Sequence, residues 1–159
     1  LKSAKEMPKA INDGAAGGLM SIGNTAAANG FGGVVKSVPG FATLTTMLLG
    51  IPGTPLISEA IAVSVLAGAT GSASGGMGVA FAALTDTYKS MGVSLEAVHR
   101  IGAIAAGTLD TLPHQGAQIT LLGICKLTHK EAYFDIAVTQ ILIPILTLFI
   151  FIPLVSMGL

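Results

Sequence analysis

Apolar positions fill this chain in long stretches that stop at a few sharply marked places. No Asp, Glu, Lys or Arg occurs at positions 14–35, 37–58, 60–85 or 136–159. Each run is long enough to cross a hydrocarbon core, which takes roughly 20 helical residues. Residues 136–158 are Ile, Leu, Phe and Val almost throughout and predict a plain spanning helix. Pro144 and Pro153 are tolerated there because neighbouring helices re-satisfy the freed carbonyls. Residues 54–69 predict a shorter apolar helix containing Glu59, and residues 79–88 another. Residues 95–109 predict a helix with Glu96 and Arg100 at i, i+4 spacing for a surface pair, and an apolar half-helix follows at 117–127.

The interruptions carry more information than the runs. Residues 70–78 hold Gly71, Gly75, Gly76, Gly78, Ser72 and Ser74, poor material for a helix interior because each Gly costs about 1 kcal/mol relative to Ala. Two half-length helices meeting there predict a re-entrant hairpin or a broken helix. A second break is expected at 110–116, where Pro113 disfavours helix at Leu112 and Gly116 permits unusual dihedrals. A third is expected at 23–30, around Gly23, Asn24, Thr25 and Gly30.

Composition fixes the solvent. Only 10% of residues are charged, 52% are hydrophobic, and the mean hydropathy is +0.78, whereas a soluble domain is usually about a quarter charged. The chain is an all-α integral membrane protein by this reading, multi-pass in the cytoplasmic (inner) membrane. Eight basic residues balance eight acidic ones, so nothing points to nucleic acid. Residues 1–13 read as a mixed-charge linker without a signal-peptide pattern, and residues 14–159 as the C-terminal transmembrane part of a larger protein. Lys126 and Lys130 precede the last span, which places that end in the cytoplasm and the C-terminus outside.

Irregular backbone survives at membrane depth only where protein or a water-filled cavity satisfies it. Secondary transporters use such breaks to aim half-helix N-termini at an anionic substrate. The breaks at 71–78 and 110–116 have that composition, with Ser72 and Ser74 as hydroxyl donors for a carboxylate. The bland alternative is that small residues only let helices pack closely. Asp110 and His114 are ionisable groups in a membrane segment, which favours a functional role. A histidine side chain titrates close to neutral pH, as a proton relay requires. Against this, Asp110 caps the preceding half-helix and His114 bonds a carbonyl. Glu59 lies a few residues past Pro55, either inside a membrane-embedded helix or at headgroup level. His99 and Arg100 read as an interfacial face, and His129, Lys130 and Glu131 as a solvated loop. Cys125 and His129 alone do not make a zinc site. The segment 71–75 fails the nucleophile-elbow pattern, and HExxH and phosphate-loop motifs are absent. An enzyme is not expected, and neither is a metal or cofactor beyond a coupling ion.

Three blocks carry a family resemblance: Gly71-Ser72-Ala73-Ser74-Gly75-Gly76-Met77-Gly78, Leu109-Asp110-Thr111-Leu112-Pro113-His114-Gln115-Gly116-Ala117, and Leu127-Thr128-His129-Lys130-Glu131-Ala132-Tyr133. With Gly30-Phe31-Gly32-Gly33-Val34-Val35, they resemble the gluconate permease family of proton symporters, and its branch for short organic acids such as 3-hydroxybutyrate in particular. The resemblance implies an ion-transporter-like fold with a re-entrant hairpin and broken transmembrane helices. This chain would form one half of an inverted repeat, partnered by the N-terminal half of the permease and compatible with a homo-oligomer. It implies proton-coupled symport of a small carboxylate. Ser72, Ser74, Gly75 and Gly76 would hold the carboxylate, Thr111, His114 and Gln115 would complete the pocket, and Asn24 and Thr25 would line it from the first break. Asp110 or His114 would exchange the coupled proton. The Asp110 block differs from the gluconate transporters themselves, which leaves the choice of carboxylate open. A sodium-coupled carrier is the nearer alternative, and a passive channel or structural membrane subunit the further one.

Overall fold

Proline and glycine set the helix boundaries. The computed structural model describes residues 6–158, except the side chains of residues 25, 28, 29, 32 and 49, and among the described residues every regular element is helical. Helix α1 spans Met7–Ser37 and ends where Val38, ahead of Pro39, turns to extended backbone, as the residue before a proline must. Pro39 then opens α2 (Pro39–Leu49), and Pro55 opens α3 (Pro55–Thr70). Proline fits the first turn because its missing amide would be unpaired there anyway. Helices α4 (Ala73–Ser90), α5 (Leu95–Leu109) and α6 (Gly116–Cys125) follow. Ser94 caps α5 by accepting from the Ala97 amide, and the expected Glu96–Arg100 pair forms on its surface.

The expected break at 23–30 does not occur: α1 continues through it unbroken. Asn and Gly lower helix propensity by at most about 1 kcal/mol each. Freeing several backbone groups in lipid costs more than that. Because α1 begins at Met7, residues 7–13 are helical where a loop is expected. The glycine-rich stretch is also more helical than its composition predicts. Only Gly71 and Ser72 leave the helix, and residues 73–78 already belong to α4.

The last helix starts earlier than the apolar pattern indicates. α7 (His129–Ala137) passes through a π-helical turn, Val138–Leu142, into α8 (Ile143–Ser156). The turn lies directly ahead of Pro144, which has no amide to return to the preceding turn, and it accommodates that missing donor. The resulting rod of 28 residues is long and apolar enough to cross a membrane. Phe134 and Phe149 on it are 78% and 73% exposed, and Leu19 and Ile22 on α1 are exposed as well. The faces that carry Phe149, Leu19 and Ile22 lie in charge-free runs, and exposed apolar faces of this kind face lipid or other protein.

Helix α3 is the centre of the packing. Ala62, Val63, Leu66 and Ala67 are fully buried, between α4 on one side and α5 on the other. Glycine makes the close approaches. A Cβ on Gly76 would lie 2.2 Å from the Ala67 amide nitrogen, and one on Gly68 would lie 2.9 Å from Leu109 Cβ. α3 and α5 run side by side in the same direction: Glu59 meets Gly102, Ser64 bonds the Ala105 carbonyl, and Gly68 meets Leu109. Their C-terminal ends therefore lie at one level, and both chain breaks follow there.

Candidate functional site at two helix breaks

The first break is a tight reversal. Gly71 adopts φ +62°, the left-handed conformation that favours glycine. The Ser72 amide reaches back to the Ala67 carbonyl and the Gly71 amide to that of Gly68, the hydrogen-bond pair of a Schellman motif. Thr70 is buried and its hydroxyl donates to the Leu66 carbonyl. Ser72 then caps α4: its Oγ accepts from the Gly75 amide at 3.1 Å and lies 3.3 Å from Ser74 Oγ. The reversal leaves the first-turn amides of α4 at the tip of an α3–α4 hairpin.

The second break lies against the first. Leu109 packs on Gly68, and His114 Nε2 donates to the Gly68 carbonyl at 3.0 Å. A carbonyl only accepts, so this bond places a ring proton on Nε2. The ring also touches Phe31 of α1 edge-on, with centroids 6.2 Å apart. Asp110 ends α5 with the Ala73 backbone amide beside its carboxylate, and its Oδ1 is buried without a partner. An acidic group thus faces the first residue of α4. Gln115 caps α6 by accepting from the Gln118 amide at 2.8 Å.

Ser72, Ser74, Gly75, Asp110, His114 and Gln115 therefore gather around two helix N-termini. As caps, Ser72 and Gln115 accept from amides, which leaves the Ser72 hydroxyl proton and the Gln115 NH2 group as donors. Two expected residues sit otherwise. Thr111 is buried at 5% exposure and its hydroxyl donates to the Thr108 carbonyl, and Gly76 is enclosed by α3. Both are packing residues in this arrangement. Asn24 does not reach the breaks: its side-chain amide donates to Thr120 Oγ1 on α6 at 3.1 Å. The Thr25 side chain lies outside the described residues.

Several residues at the site were not singled out as candidates from sequence. His129 Nε2 donates to the Pro113 carbonyl at 3.0 Å and Tyr133 OH to the Thr111 carbonyl at 3.1 Å. The start of α7 thus pins the second break, where a solvated loop was expected. Glu131 holds that start in place, accepting from the Thr128 amide and hydroxyl. Gln118 is buried with Oε1 unpartnered. Lys36 borders an open groove of about 520 Å³ that follows α4 from Ser74 and Gly75 past Gly78 to Ala83. A signal for it existed, since Lys36 is the only charged residue between Asp13 and Glu59. Among the described residues no group of three His, Cys, Asp or Glu side chains is placed to hold a metal.

No family model matches the chain, and no solved structure matches it. It is similar to a protein of Bacillus subtilis (strain 168) named Uncharacterized transporter YxjC. The two are 41% identical over 141 residues, which make up 86% of this chain and 30% of that protein. The chain thus spans less than a third of the relative's length, and the matched relative is a protein named a transporter.

Proposed function

We propose that the chain is the membrane-embedded part of a proton-coupled symporter for small carboxylates, with the substrate anion held where the two breaks meet. The observation carrying this reading is the convergence of two helix N-termini, α4 at Ser72 and α6 at Gln115, around Asp110 and His114. First-turn amides and the positive end of each helix dipole favour an anion there. A carboxylate accepts hydrogen bonds and cannot donate them, so it needs the donors left over by the caps. Lys36 on the α4 groove supplies the charge that draws an anion toward Ser74 and Gly75. The similarity to a protein named a transporter supports the same class.

Coupling follows from the position of Asp110. Its carboxylate faces the Ala73 amide, where a substrate carboxylate would also bind. Two anions on one helix end repel each other, so binding of substrate is linked to protonation of Asp110. His114, held on the Gly68 carbonyl at the same pair of breaks, is the second candidate for carrying the proton. Gluconate-like sugar acids and short hydroxy acids such as 3-hydroxybutyrate fit this reading, in the cytoplasmic membrane, with the hairpin as a re-entrant element of an inverted-repeat fold.

The test compares Asp110→Asn with wild type in the intact protein, measuring uptake of labelled gluconate, 3-hydroxybutyrate, butyrate and lactate across a pH series. The neutral amide should retain substrate binding and lose the dependence of uptake on a pH gradient. An Asp110→Asn protein with the wild-type pH dependence would remove Asp110 from coupling.

A further inference from the structure

The largest anomaly in the molecule lies away from the breaks. Glu59 is fully buried, at 0% exposure, and neither carboxylate oxygen has a hydrogen-bond partner. It is on the face of α3 that meets both neighbours, with Oε1 against the Cα of Gly102 on α5 and Phe81 of α4 alongside. A Cβ on Gly102 would lie 3.2 Å from that oxygen and 2.7 Å from the Phe81 ring. The Tyr88 hydroxyl on α4 is buried close to Glu59, with the Ser58 side chain beside it. Among the described residues no other titratable group faces Glu59. Asp86 and Lys89 on α4, Glu96, His99 and Arg100 on α5 and Lys36 on α1 are exposed, and α2 and α8 carry no ionisable side chain.

We infer that Glu59 is a proton-binding site, occupied by a proton in the packed arrangement and emptied when α3 parts from α4 and α5. A carboxylate stripped of water, hydrogen bonds and counter-charge is among the most costly groups to bury. A carboxylic acid carries no charge to compensate. A metal cation is a poor occupant, because hard cations need several oxygen ligands and the contacts here are a ring edge, a glycine backbone and one phenol. Access is short: Glu59 is one helical turn into α3 from the exposed residues 52–54. The α3–α5 seam then carries the Ser64–Thr108 hydroxyl pair, 2.8 Å apart, between Glu59 and the breaks. Because one uninterrupted helix joins Glu59 to Gly68, opening the seam for a proton and moving the hairpin tip are one motion.

The chemistry of this site stands by itself, while its role in coupling rests on the transport reading. The experiment uses the intact protein in lipid vesicles and dicyclohexylcarbodiimide, an apolar electrophile to which a protonated carboxyl group adds, its proton passing to a carbodiimide nitrogen and the adduct rearranging to a stable N-acylurea, with the modified residue located by mass spectrometry. Glu59 should be labelled at low pH, with labelling falling at least tenfold as pH rises. In parallel, Glu59→Gln should lose pH-driven accumulation of a carboxylate at least tenfold while retaining carboxylate exchange across the membrane. Absence of label at Glu59 at every pH would overturn the inference, since a site that releases its proton must open. Label suppressed by sodium and indifferent to pH would overturn it in favour of a cation. Glu59→Gln accumulating like wild type would overturn the coupling role. A labelled Glu59 in a protein that moves no carboxylate would support the proton site and refute the transport reading. The labelling arm uses wild type, so it decides even where Glu59→Gln fails to reach the membrane.

Discussion

Replacing Gly76 by alanine tests the hairpin on which the site is built. The added Cβ would lie 2.2 Å from the Ala67 nitrogen, 2.4 Å from its Cα and 2.7 Å from the Leu66 carbonyl carbon. All three are backbone atoms of α3, so no side-chain rotation can relieve the contact. Ordinary Cβ contacts begin at 3.4 Å, so α3 and α4 must separate by about 1 Å, which opens the core around Val63 and Leu66. Overpacking of this kind typically costs about 1–3 kcal/mol. Gly78 is the control, because on the same helix its Cβ would meet nothing within 4 Å. There the exchange should gain up to about 1 kcal/mol from helix propensity alone. Thermal unfolding of the two purified variants in one detergent should therefore place Gly78→Ala at or above wild type and Gly76→Ala clearly below it. Equal stability of the two would refute the close crossing, and with it the placement of the α4 N-terminus beside α5.

Other outcomes follow from single bonds. Ser72→Ala removes the cap that the Gly75 amide uses and should cost about 1 kcal/mol of stability, with weaker carboxylate uptake measured by KM. Tyr133→Phe deletes the bond to the Thr111 carbonyl and should cost about 0.5–1.5 kcal/mol, read by thermal unfolding. Lys36→Ala should raise KM for an anionic substrate at low ionic strength, and added salt should narrow the gap to wild type, because exposed charges are screened.

How much of this was legible in the sequence depended on range. The bounds of α5 at Leu95 and Leu109 were readable, because Ser94 caps one end and Asp110 to Pro113 stop the other. The two true breaks were readable from Gly71 and Pro113. The false one at 23–30 was not separable from them by composition, since Asn24 and Gly23 stay helical where nothing ends the hydrogen-bond ladder. Gly76 reads as a break residue until α3 is set beside it, because a close crossing is a tertiary fact. Sequence alone does not choose between membrane depth and headgroup level for Glu59, because its burial depends on Gly102 and Phe81, far away in the chain. Likewise His129 reads as loop until Pro113 is placed opposite.

Uphill transport is the most direct measure of the central claim. The intact protein, reconstituted into vesicles with an imposed pH gradient and supplied with labelled short carboxylates, should accumulate at least one of them above its outside concentration. Accumulation should collapse with a protonophore and persist when choline replaces sodium. Equilibration without accumulation, unaffected by the protonophore, would contradict proton-coupled symport and leave a passive pathway.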